Sequence, residues 1–437
     1  MKHVFWQEVR KILRPIPVLI LVVAALIYGY VVLRYPYRNL TEFPHPTNYI
    51  QVAADFVELC GNTLEGDEFE RAVETLEARY KEQIATAVRT DPRFAEAGVT
   101  DYEGYVALQR KILFSRVEEA DGSYWDQEMT DGHLGVYGVP CAPYNPQEDY
   151  TLTPAEQLIE QNDFSGEMTE YARNRLQCLP GYPEDMAFSL DAEQRSWIFN
   201  PDVPSVAQRH IKRIYEDYDS NPSVMPAYFF TGYTGQAMAQ LAILLACSVC
   251  VLLAPILTRD GMTRVRHLQY ASKTGRKTLH AQFWAMLFTS ALVAIVEIAV
   301  TYAAYLKPWR PFLRSKINSP MDHASFFWYT GTVGGWLFWV AVLLFVFSLA
   351  AACFMFLLSK ASKQYIALLL AVLPATAGLC FLGNLTFTLP LAMGGYSNAL
   401  YAYLRVPFAE VLVCGVLLGI GTALAGGMIR KSRRAEV

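Results

Sequence analysis

Hydrophobic residues crowd into six runs along this chain, and a long polar stretch separates the first run from the other five. The first, Ile16 to Leu33, has no charged residue among its eighteen positions. That length crosses ~30 Å of hydrocarbon at a rise of ~1.5 Å per residue. The others fall at 236–257, 283–306, 331–357, 365–387 and 406–429. Residues 1–14 carry a different pattern. Val4, Phe5, Val9, Ile12 and Leu13 line one side of a helix, and Lys2, Glu8, Arg10, Lys11 and Arg14 occupy much of the other. Such a helix lies along a membrane surface with its basic residues among anionic lipid headgroups. The prediction is an α-helical polytopic membrane protein: a cytoplasmic amphipathic helix (1–14), a first transmembrane helix (15–34), an inserted extracytoplasmic domain (35–230) and five further spans. The last four of these form a bundle over 283–429, and 430–437 is a short tail.

The inserted domain reads as mainly helical. Phe69, Val73, Leu76, Tyr80, Ile84 and Val88 recur at helical spacing between Gly66 and Arg89, and Asp91-Pro92 ends the run. Shorter helices are expected at 48–60, 101–115, 154–162, 167–178 and 204–218, with Thr153-Pro154 as a capping residue and first-turn proline. Residues 120–150, rich in Gly, Pro, Tyr and Asp, read as loop. The segment 388–404 is too short and broken to span, and suits a re-entrant or interfacial helix.

Charge sets the expected topology. Between Arg34 and Phe230 there are 35 acidic and 16 basic residues, while the rest of the chain holds 21 basic residues and six acids. Six spans put both termini on one side, and the loops sharing that side carry sixteen Lys and Arg against three acids. Lys and Arg near span ends stay cytoplasmic, so the termini are expected inside and 35–230 outside. Lys307, Arg310, Arg314 and Lys316 then fall on the outer side, where the acidic domain offers them a partner. Arg34-Tyr35-Pro36-Tyr37-Arg38 follows the first span in place of a small-x-small cleavage site, so that span is expected to be retained.

The chain offers little chemistry of its own. Gly275-Arg276-Lys277-Thr278 echoes the end of a phosphate loop, but Tyr270 stands where a glycine is required and Arg276 where lysine is. The seven histidines show no ligand spacing. Cys247 and Cys250 form a CxxC inside a span, where a single helix brings no further ligand and cysteine acts as a small hydrophobe. Outside the spans, Cys141 and Cys178 are a possible disulfide, with Cys60 spare, although pairing is not legible in sequence. No metal, cofactor, nucleic-acid partner or catalytic residue is expected. Two carboxylates lie in the spans. Glu297 sits mid-membrane and must face the bundle, either in a transport path or as a protonated packing group; Glu410, near the start of the last span, can snorkel or pair with Arg405. Gly415 and Gly419 form a GxxxG suited to close helix packing, within the subunit or across a dimer.

Residues 257–287 read LTRDGMTRVRHLQYASKTGRKTLHAQFWAML. An acid and a glycine follow span two directly, a basic amphipathic segment comes next, and then span three begins. This stretch resembles the permease subunits of type-2 (exporter-class) ABC transporters, in a Gram-positive-like branch with a Ser-Lys-x-Gly-Arg-Lys sequence. Asp260, Gly261, Leu268, Ser272, Lys273, Gly275, Arg276 and Lys277 fit that pattern, and Arg264 and Arg266 belong to the same basic segment. Gln282 departs from it, standing where the branch usually carries lysine. The resemblance implies a coupling helix within 258–280 that seats on a separate cytoplasmic ATPase, which binds ATP and Mg. It also implies a second permease copy, identical or related, in a bacterial plasma membrane, with no hydrolysis by this chain. The rival expectations are a proton-linked secondary transporter acting through Glu297 and a membrane sensor whose outer domain binds a ligand.

Overall fold

The computed structural model describes residues 2–34, 53–63, 66–105, 223–225, 227–262, 278–318, 326–394 and 406–434, with isolated positions at 206–207, 209–210, 213–214, 400 and 404. Six of its helices are long and apolar enough to cross a membrane. Helix α1 (Lys2–Ile12) precedes α2 (Pro15–Tyr28), which continues through a π-helical turn at Gly29–Leu33 to complete span one. Two prolines, Pro15 and Pro17, open α2, where their missing N–H groups leave no bond unmade. Helices α3 (Gly66–Thr90) and α4 (Pro92–Glu96) belong to the inserted segment. Span two is α5 (Ala227–Leu253) followed across Ala254 by α6 (Pro255–Met262). Spans three to six are α7 (Thr278–Tyr305), α8 (Val333–Ala361), α9 (Tyr365–Phe387) and α10 (Ala409–Arg434).

The spans are not equivalent. Within the chain, spans two and four are 72% and 61% buried, against 6% for span one and 22% for spans five and six. Two central helices therefore carry the bundle, and the others present Leu, Ile, Val and Phe outward, as a lipid-facing surface does. Several glycines permit close approach, among them two between chain segments far apart in sequence. A Cβ on Gly235 of α5 would lie 1.8 Å from the Thr388 carbonyl oxygen, and one on Gly421 of α10 would lie 2.8 Å from the Cys353 Cβ of α8. No described atom comes within 4 Å of a Cβ built on Gly415 or Gly419. Among the described residues the GxxxG face is thus open, and Gly421 makes the close contact.

At the end away from α1, the connections are ordered by aromatic packing. Trp309, Phe312, Phe327, Trp336 and Phe230 are fully buried. Phe230 meets Trp309 and Trp336 at ring distances of 5.2 and 5.7 Å, and Phe327 meets Trp336 at 5.5 Å. The Trp336 indole donates to the Pro390 carbonyl at 3.0 Å. A short antiparallel pair, β1 (Phe326–Phe327) with β2 (Ala392–Gly394), closes this end. Part of 388–404 is therefore a strand, where an interfacial helix was expected. Asn318 fastens the pair by accepting from the Phe327 N–H at 2.7 Å and donating to the Phe327 and Tyr329 carbonyls.

The inserted segment joins the same end. Helix α3, about 37 Å long at 1.5 Å per residue, buries Ala72 and Leu76 in the core shared with the spans and Ile84 and Val88 in a second core with Phe94, Val99 and Tyr105. Asp91 accepts from the Arg93 N–H at 3.0 Å and caps α4, as Asp91-Pro92 implied. The loop that carries Lys307, Arg310, Arg314 and Lys316 touches this segment through the neutral groups of Pro311 and Ser315. Among the contacts made there, Asn62 donates to the Pro311 carbonyl at 2.8 Å and to Ser315 Oγ at 2.9 Å, and Ser315 donates to the Val224 carbonyl at 2.6 Å. The expected helices at 154–162 and 167–178, the loop at 120–150 and the Cys141–Cys178 pair lie outside the described residues.

Candidate functional site

Helix α1 does not rest on the bundle by its apolar side alone. Val9 and Ile12 are buried, and Phe5 and Trp6 meet Phe288 of span three edge-on at 5.6 and 5.7 Å. Glu8 is buried beside them, on the face that turns inward. Lys11 also turns in and pairs with Asp260, the acid in the last turn of α6. The Lys11 ammonium lies 3.4 Å from Glu8 as well. Gln282, in the second turn of span three, donates from Nε2 to the same Asp260 oxygen at 3.1 Å. Four polar side chains from α1, α6 and α7 thus close into one cluster. Lys2, Arg10 and Arg14 remain exposed, so only part of the predicted basic face looks outward.

The electrostatics of this cluster are uneven. Two buried carboxylates share one ammonium whose side chain is 19% exposed. Burial pushes the Glu8 carboxyl above its ordinary 4.5; Lys11 pulls it back, and the Asp260 charge pushes it up again. The arrangement also explains Gln282. Lys11 reaches in from a different helix to neutralise Asp260, and Gln282 supplies a neutral donor, so a cation at 282 is not needed to satisfy that acid.

The cluster holds both roots of the segment singled out in the sequence. Asp260 and Gly261 continue the helix to Met262, so they form its last turn and not the turn after it; span three begins at Thr278, earlier than hydropathy suggested. The segment between these roots, with Arg264, Arg266, Leu268, Ser272, Lys273, Gly275, Arg276 and Lys277, lies outside the described residues. Its anchoring does not. Thr258 donates to the Ser359 carbonyl at 2.9 Å and the Leu257 N–H donates to Ser359 Oγ at 3.0 Å, tying α6 to the end of span four.

Polar groups continue along the inner side of span three. Ser290 meets Ser348 of span four at 2.9 Å. Ser248 donates to Glu297 Oε1 at 2.6 Å, and the buried Oε2 has no partner among the described residues. Thr234 and Tyr305 share a hydrogen bond of 3.0 Å, and Tyr302 donates to the Leu337 carbonyl at 2.9 Å. Glu297 thus faces the bundle, as its cost in lipid requires. Gln282, Ser290, Glu297, Thr301 and Tyr305 were visible in sequence as polar residues returning every four to eight positions, a helical stripe in an apolar run. Glu410 is fully buried, so it does not snorkel outward; Arg405 lies outside the described residues.

Among the described residues no group of three or more His, Cys, Asp and Glu side chains is placed to hold a metal. No protein-family model, curated protein or solved structure matches this chain. The functional reading therefore stands on the sequence pattern and on the cluster at the root of 263–277.

Proposed function

We propose that this chain is the permease subunit of an ABC exporter and that 263–277 carries the helix that seats on a separate ATPase. The observation that carries the reading is the brace at the roots of that segment. Asp260 and Gln282 are bonded to each other, and Lys11 joins α1 to them. A push on the segment is then delivered to spans two and three and to α1 together, which is what a transmission element requires. On this reading the termini and 263–277 face the cytoplasm of a bacterial cell, as the sixteen basic residues favour, and 35–230 lies outside. A second permease copy completes the pathway, and ATP and Mg are held by the ATPase.

The test is copurification. Tagged wild type extracted in mild detergent should bring down a nucleotide-binding subunit, and a variant with L268E and R276E together should lose it while remaining monodisperse. Extraction without any ATPase under all conditions overturns the proposal. A second reading, a proton-linked carrier, draws on the one unpartnered oxygen of Glu297. It requires that Glu297→Gln abolish transport and that transport proceed without ATP; a variant that still transports, driven by ATP, excludes it.

A further inference from the structure

Read alone, the CxxC of span two lacks a partner. The fold supplies one: Cys247 Sγ lies 3.8 Å from Cys380 Sγ of span five. Cys250 stands about one turn further along span two. These three thiols are only partly covered, whereas Cys353 and Cys414 are buried. The distinction separates two uses of one residue type. Cys353 fills space where Gly421 brings span six close. Cys247 and Cys380 present sulfur to sulfur across two helices.

Two sulfurs so placed form a ligand pair of defined chemistry. Metal–sulfur bonds of about 2.3 Å set end to end span about 4.6 Å, so the two sulfurs need to part by less than about 1 Å. Thiols select soft ions, and hard ions demand oxygen ligands in larger number. Both thiols lie in apolar spans, with the Ser248–Glu297 hydrogen bond beside Cys247, and an unbalanced charge there is costly. A monovalent cation avoids that cost by taking the place of the proton in the S–H···S contact. One S–H bond breaks, its proton leaves, and the ion sits between one thiolate and one neutral thiol. No electron is transferred, and the site stays uncharged.

We propose that Cys247 and Cys380 form a two-coordinate site for a soft monovalent cation, Cu(I) or its redox-inert mimic Ag(I), bridging spans two and five. The site does not depend on the permease reading. It is tested on the full-length chain with Cys60, Cys141 and Cys178 changed to Ser, purified in detergent and titrated with silver nitrate in chloride-free buffer. Bound silver is counted after desalting, and alkylation of each remaining thiol by a small maleimide is mapped by mass spectrometry. The expected result is about one silver per chain, protection of Cys247 and Cys380 together, and an affinity at least about tenfold weaker in C247A or C380A, with C353A unchanged. Unchanged silver uptake by the C247A/C380A double variant overturns the proposal. If that variant does not stay monodisperse, the protection map of the unsubstituted pair decides: silver that shields other thiols and leaves Cys247 and Cys380 reactive overturns it equally.

Discussion

The two ends of the bundle are held by opposite physics. At one end Trp309, Trp336, Phe230 and Phe327 interlock in a buried aromatic cluster, fastened by neutral hydrogen bonds from Asn318 and the Trp336 indole. At the other, Glu8, Lys11, Asp260 and Gln282 share charge among three helices. Aromatic packing is insensitive to pH and salt and gives way only when its shape is destroyed. A cluster with two acids and one base is adjustable, because each proton or counter-charge changes its balance. Under the proposed function, the contrast places the tunable end on the side that is pushed. It also means that damage at the two ends should look different.

The largest effect is expected from Trp336→Ala. Removing a fully buried indole should cost about 3–5 kcal/mol and collapse the whole far end, read as a large drop in detergent melting temperature at every pH. Lys11→Met should come next. It removes the ammonium that Glu8 and Asp260 share, a loss of about 3 kcal/mol given the partial exposure of the lysine. The loss should be local, seen as faster hydrogen exchange in 2–12 while Trp336 and its neighbours stay protected. Adding Asp260→Asn to Lys11→Met should recover part of it; full additivity would mean that the two side chains do not act as a pair.

Glu8 sharpens the contrast through pH. Its folded-state value is raised above 4.5, so the docked helix binds its proton more tightly than the free chain does. Docking of α1 is then favoured below about 4.5 and weakens as pH rises through the raised value. Glu8→Gln should flatten that dependence and slow exchange in α1 at neutral pH, by less than the Lys11 substitution speeds it. A slope that survives in the Gln variant would assign it to another group. The smallest effect is expected from Arg10→Gln. Arg10 is exposed on the outer face of α1, and the change should stay within about 0.5 kcal/mol by the same exchange measurement.

Some of this was legible before any fold. Asp91-Pro92 stops one helix and caps the next because both effects are local. The six spans were legible because crossing a bilayer is a matter of length and apolarity within one segment. The placement of Glu8 was not. The amphipathic pattern assigns it to the polar face, yet it is buried, because Lys11 and Asp260 make an inward carboxylate tolerable and neither adjacency is encoded in residues 1–14. The contact between Cys247 and Cys380 was not legible for the same reason, since the two are 133 residues apart.

The sequence by itself determined the six segments apolar and long enough to cross a membrane, the break at Asp91-Pro92, and that Glu297 must face protein. The tertiary structure alone decided that spans two and four are central, that among the described residues Gly421 and not Gly415 or Gly419 packs closely, and which polar groups meet. The physical reason is that lipid tails and helix cores are equally apolar. Hydropathy can place a residue in the membrane, but it cannot distinguish a face turned to lipid from one turned to a neighbouring helix. Only the packing of the whole bundle makes that choice.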